Sequence, residues 1–133
     1  MEGQQQQRIL IVDNDERVLR VLDEFLANAG FDTRTALGGH VALDLLESQE
    51  YDLVLLADPL AEFSLEGFLK ALQRFVTRPS VIVMQADPPR SWDVGPYRSP
   101  GASRTVNKWR PCDVLEAANE VLSSGRTRIE SDG

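Results

Sequence analysis

Few residues of this chain could carry chemistry, and most of them close apolar runs. The stretch Tyr51-Asp-Leu-Val-Leu-Leu-Ala-Asp58 ends in Ala57 and then Asp58, and the run Arg8-Ile-Leu-Ile-Val12 ends in Asp13-Asn14-Asp15. In an open parallel α/β sheet the reactive crevice lies past the carboxyl ends of the strands, so the last side chain of a central strand faces it. An aspartate there could be a nucleophile, whereas an alanine is inert. His40 is the only histidine and Cys112 the only cysteine, which excludes a multi-histidine metal cluster. His40 has no partner motif for a Ser-His-Asp triad and reads as a solvated surface residue. Cys112, with no base indicated nearby, reads as a packing or helix-end residue. Gly38-Gly39 matches neither GxGxxG nor GxxxxGK and reads as a turn.

The elements that must position these groups alternate. Arg8 to Val12 is a short apolar run of the kind buried on both faces of a parallel sheet. Helical spacing follows from Glu16 to Ala29, where Val18, Leu22, Phe25 and Ala29, with Leu19 and Leu26 beside them, make an inward face and Gly30 is the stop. Phe31 to Ala36 reads as an edge-like strand. A helix carrying Val41, Ala42, Leu45 and Leu46 opens at Gly38-Gly39, and Asp52 to Leu56 is the third strand. A helix is expected over Ser64 to Phe75, weakened by Gly67, then a strand over Ser80 to Met84. Pro88, Pro89, Gly95, Pro96 and Pro100 interrupt Asp87 to Pro100, so a fourth helix there is expected to be irregular or shortened. A fifth strand covers Arg104 to Asn107. The last helix carries Val114, Leu115, Ala118, Val121 and Leu122 and is expected to close at Gly125.

This order implies a flavodoxin-like three-layer α/β sandwich whose five-stranded parallel sheet runs 2-1-3-4-5, with Asp13, Asn14, Ala57 and Asp58 gathered at the crevice. The expected division is a flexible leader over 1–7, one domain over 8–125 and a polar tail over 126–133. A chain of 133 residues, 42% hydrophobic and 26% charged, suffices for one core. A net charge of −7 argues against direct contact with nucleic acid. The Gln-rich start has no signal-peptide pattern and no run is long enough for a membrane span, so a cytoplasmic protein is expected.

With Lys108 at the end of the fifth strand, the set resembles the receiver domain of two-component response regulators over roughly Arg8 to Leu122. Ile9-Leu-Ile-Val-Asp-Asn-Asp15 looks like that family's strand ending in paired acids, and Tyr51 to Leu56 like the strand leading to its phosphoacceptor. Gly101-Ala102 precedes Lys108 by the family's usual interval, and Leu115 matches the first leucine of its last helix. The resemblance implies phosphorelay signalling by phosphoryl transfer onto an aspartate, assisted by a hard cation, a lysine and a hydroxyl.

The chain departs from that pattern where the chemistry lies. Ala57 stands at the phosphoacceptor position, Asn14 replaces one of the paired acids, Gln85 replaces the hydroxyl switch, Thr105 the aromatic switch and Trp109 the proline after the lysine. Asp13, Asn14, Ala57, Gln85 and Lys108 therefore read as a vestigial phosphorylation pocket with no catalytic residue, no cofactor and no metal expected. Lys108 is expected to pair with Asp13, and Gln85 to complete that network. The implied protein is a pseudo-receiver, not an enzyme, that acts as a protein-interaction module toward a signalling protein or output domain. Trp92, Tyr97 and Trp109 are its candidate partner surface, and a homodimer is allowed.

One alternative is a phosphorylatable receiver using Asp58 as acceptor with Mg held by Asp13 and Asp58. Strand alternation disfavours it, and Asp58 reads rather as a loop or capping residue. Another is a small-anion or metabolite binder in the vacated crevice.

Overall fold

Apolar runs at three places in the chain become the centre of a parallel sheet. The computed structural model describes residues 6–75, 79–86 and 102–132. Its strands are β1 (Arg8–Asp13), β2 (Asp32–Leu37), β3 (Leu53–Ala57), β4 (Ser80–Gln85) and β5 (Ala102–Asn107). The described helices are α1 (Glu16–Asn28), α2 (Gly39–Ser48), α3 (Leu65–Leu72) and α4 (Pro111–Asp132). The sheet order is β2-β1-β3-β4-β5, all parallel, which is the expected flavodoxin-like arrangement. Ile9 to Val12 and Leu53 to Ala57 are buried without a break, because helices cover both faces of the central strands. The edge strand β2 buries only Ala36 fully.

Local chemistry sets the helix ends. Asp15 caps α1 by accepting the Arg17 N–H at 2.9 Å, and Ser64 caps α3 by accepting the Gly67 N–H at 3.0 Å. Gly67 therefore lies in the first turn of α3, where its weakness costs least. Val18, Leu19, Leu22 and Leu26 form the buried stripe of α1. Phe68, Leu69 and Leu72 do the same for α3, and Val114, Ala117, Ala118 and Leu122 for α4, which touches α1.

Two expected helix ends move by more than two residues. The helix expected to reach Phe75 ends at Leu72, since Gln73, Arg74 and Phe75 each donate to the carbonyl three residues back, a tighter turn. Phe75 still packs against the core. The last helix does not close at Gly125 but continues to Asp132, so part of the segment expected to be a polar tail over 126–133 is helical. A glycine inside a helix costs only about 1 kcal/mol relative to alanine, and no proline follows to stop it. The segment Asp87 to Pro100, expected from its prolines to be irregular, lies outside the described residues together with Trp92 and Tyr97. No helix among the described residues is long and apolar enough to cross a membrane.

Candidate functional site

The carboxyl ends of the strands bring the sequence candidates to one edge of the sheet. Val12 pairs with Leu56, and Ala57 with Met84, so Asp13 and Ala57 stand side by side one step further along β1 and β3. Both are withdrawn from solvent, with 2% and 1% exposure.

Asp13 is the one buried charged residue among those described. Its carboxylate accepts from Lys108 Nζ at 3.0 Å and 3.3 Å and from the Asp15 N–H at 3.0 Å. The lysine thus binds the acid as expected, closing β5 onto β1. A carboxylate this deep needs such a partner, because an unpaired buried charge is far costlier than a paired one.

Gln85, at the end of β4, does not join that pair. Its Nε2 donates to Asp58 Oδ2 at 3.2 Å, and its carbonyl accepts the Lys108 N–H at 3.0 Å. The reason is register: Met84 pairs with Ala57, which leaves Gln85 level with the next residue, Asp58. Asp58 also donates its N–H to the Met84 carbonyl at 2.9 Å. It is a loop residue, and the capping of α3 falls to Ser64. Thr105 pairs with Val83 inside β5 and is half-buried.

Asn14 is exposed, and its Oδ1 accepts the Ala61 N–H at 2.7 Å. Next to it, Glu62 Oε1 accepts the Gly39 N–H at 3.1 Å, at the start of α2. That bond holds the Glu62 carboxyl below its ordinary range, with smaller contributions from the nearby Asn14 side chain and from His40. The Asp15 carboxyl is likewise lowered, first by its hydrogen bond to the Arg17 side chain. Sequence reasoning did not single out Glu62 or Ala61, and it read Gly39 only as a turn residue opening a helix, since nothing local relates an acid to a glycine 23 residues earlier.

Trp109 is 47% exposed, with the Arg17 guanidinium 5.6 Å from its ring centre. His40 is exposed and lies against the Phe63 ring at 5.0 Å. Cys112 is exposed at the start of α4. Among the described residues no group of three or more His, Cys, Asp or Glu is placed to hold a metal.

No protein-family model matches the chain. It is 38% identical over 79 residues to the Escherichia coli (strain K12) regulatory protein AtoC, a stretch covering 59% of this chain and 17% of that protein. The match therefore spans about a sixth of the relative's length. Among solved structures, a CheY-like response regulator receiver domain protein from Methanospirillum hungatei JF-1 superposes with a TM-score of 0.80 at 22% identity, covering 93% of this chain and 99% of that one. The signal receiver domain of a putative Luxo repressor protein from Vibrio parahaemolyticus gives 0.79 at 19% identity, covering 97% and 99%. A signal receiver domain of an HD domain-containing protein from Pseudomonas fluorescens Pf-5 gives 0.77 at 23%, covering 92% and 99%. The architecture of this chain is the flavodoxin-like α/β fold of response-regulator receiver domains.

Proposed function

We propose that this chain is a receiver-type domain of two-component signalling that has lost its phosphoacceptor and works as a protein-interaction module. One observation carries the reading: the residue beside Asp13 at the crevice end of β3 is Ala57, buried and without a side-chain oxygen. Phosphoryl transfer to a side chain needs a nucleophilic atom there.

The neighbouring groups support the same reading. A hard cation needs several free oxygens. Here Asp13 is engaged by Lys108 and the Asp15 N–H, Asn14 Oδ1 by the Ala61 N–H, and Ala57 has no side-chain oxygen to offer. These residues do not fit a magnesium site. With Gln85 and Thr105 at the switch positions, the small hydroxyl and the aromatic ring are both absent. The domain on this reading has no cofactor and no catalytic turnover, and signals through contact with a signalling protein or an output domain. The exposed Trp109, backed by Arg17, is the described candidate for that contact, because aromatic residues are enriched where partners bind most strongly.

The rival assignment makes Asp58 the acceptor with Mg. It has a half-buried carboxylate in its favour, but that carboxylate is held by Gln85 while Lys108 stays on Asp13. Incubation with acetyl phosphate and Mg²⁺ followed by intact-mass measurement separates the two. No adduct is expected. An adduct of one phosphoryl group that disappears in Asp58→Ala would overturn the reading.

A further inference from the structure

The loops at the crevice are tied to one another by side-chain oxygens that accept backbone N–H groups. Asn14 lies on the β1–α1 loop and accepts the Ala61 N–H of the β3–α3 loop at 2.7 Å. The next residue of that loop, Glu62, accepts the Gly39 N–H at the first residue of α2 at 3.1 Å. The residue before α2 is Gly38, which has no side chain to cap the helix, so Glu62 supplies the missing acceptor from another loop. The fit is close: a Cβ on Gly38 would lie 2.6 Å from Glu62 Oε2. An amide at position 14 suits this arrangement better than a carboxylate does. It can accept from Ala61 and also donate toward Glu62, whereas an aspartate would only accept and would repel the neighbouring acid.

We propose that Asn14 and Glu62 form a built-in clasp that holds the β1–α1 loop, the β3–α3 loop and the start of α2 in one conformation without a cation or a phosphoryl group. The amide at position 14 keeps the Ala61 bond and removes a charge that would repel Glu62. For its purpose the clasp rests on the reading of the crevice as non-phosphorylatable; as a set of bonds it stands apart from that reading.

Amide hydrogen exchange on the whole chain, read at Gly39 and Ala61, tests it. In Asn14→Ala the Ala61 amide should exchange roughly 3- to 10-fold faster, the size expected for one hydrogen bond. In Asn14→Asp, Ala61 should keep its acceptor while Gly39 loses protection by a similar factor, as like charges push Glu62 away. Adding Glu62→Gln to Asn14→Asp should restore Gly39, because the amide removes the repulsion and still accepts. Unchanged exchange at Ala61 in Asn14→Ala and at Gly39 in Asn14→Asp would overturn the clasp. Should Asn14→Asp fail to fold, Asn14→Ala at Ala61 and Glu62→Ala at Gly39 decide alone. The phosphoryl-adduct measurement remains separate: an adduct with the exchange pattern intact removes the crevice reading and leaves the clasp, and the converse result does the opposite.

Discussion

Lys108 Nζ lies 3.0 Å from Asp13 Oδ2, and the two side chains are only 13% and 3% exposed. The pair joins the last strand of the sheet to the first, 95 residues apart in sequence. A buried pair adds little net stability against a well-packed apolar substitute, yet removing one member strands the other charge.

Lys108→Met should therefore cost about 3 kcal/mol, the lower end of the range for breaking a buried pair, since the lysine keeps some solvent. Asp13→Asn combined with Lys108→Met should recover most of that loss. Urea unfolding of the parent and the two variants checks both. A single variant as stable as the parent would mean that Asp13 is better solvated than its burial indicates.

Ala57→Asp places a second carboxylate beside Asp13, where one lysine must serve both. Like charges sharing a site cannot both ionise freely, so one proton is retained more tightly than in the unfolded chain. A raised carboxyl value means that the destabilisation is smallest at low pH and grows as pH rises. The unfolding midpoint of Ala57→Asp should fall further below the parent's at pH 8 than at pH 5. An equal gap at the two pH values would count against the crowding of charges.

Gly38 has φ 101° and ψ 166°, a region that essentially only glycine occupies. Gly30 has φ 103° with nothing within 4 Å of an added Cβ, while at Gly38 the added atom meets Glu62. Gly38→Ala should cost about 1–3 kcal/mol from the backbone, plus the displacement of Glu62, and Gly30→Ala about 1–2 kcal/mol. Thermal unfolding distinguishes them. Truncating Glu62 to alanine in the Gly38→Ala background should relieve part of the loss, and it should do nothing for Gly30→Ala.

Acid should loosen the β1–α1 and β3–α3 loops first. The Asp15 carboxyl is lowered by the Arg17 side chain and the Glu62 carboxyl by the Gly39 N–H. A folded value below the unfolded one gives stability that is present above the ordinary carboxylate range, about pH 4, and is lost as pH falls through the depressed folded values. Urea midpoints should therefore drop as pH is lowered below about 4, and drop less steeply in Glu62→Gln. Parallel curves for the two proteins would remove Glu62 from this account.

The alternation of apolar runs with helical stripes determined the α/β sheet, its order and the edge at which Asp13, Asn14, Ala57 and Asp58 gather. Those features depend on local periodicity and on the handedness of crossovers, which a linear chain displays. The absence of an oxygen at Ala57 was equally plain, since it is a matter of composition and not of geometry. The helix ends were less legible: Gly125 looks like a stop, but one glycine costs only about 1 kcal/mol and no proline follows, so the helix runs on to Asp132. Apart from the Asp13–Lys108 pair, expected from the sequence, which group bonds which was decided by the tertiary structure. Gln85 reaches Asp58 instead of the Asp13–Lys108 pair because strand register sets their level, and Glu62 caps a helix that begins 23 residues earlier because two loops meet at the sheet edge. Such choices turn on distances between loops of a few ångström, and residue type and spacing along the chain carry no record of them.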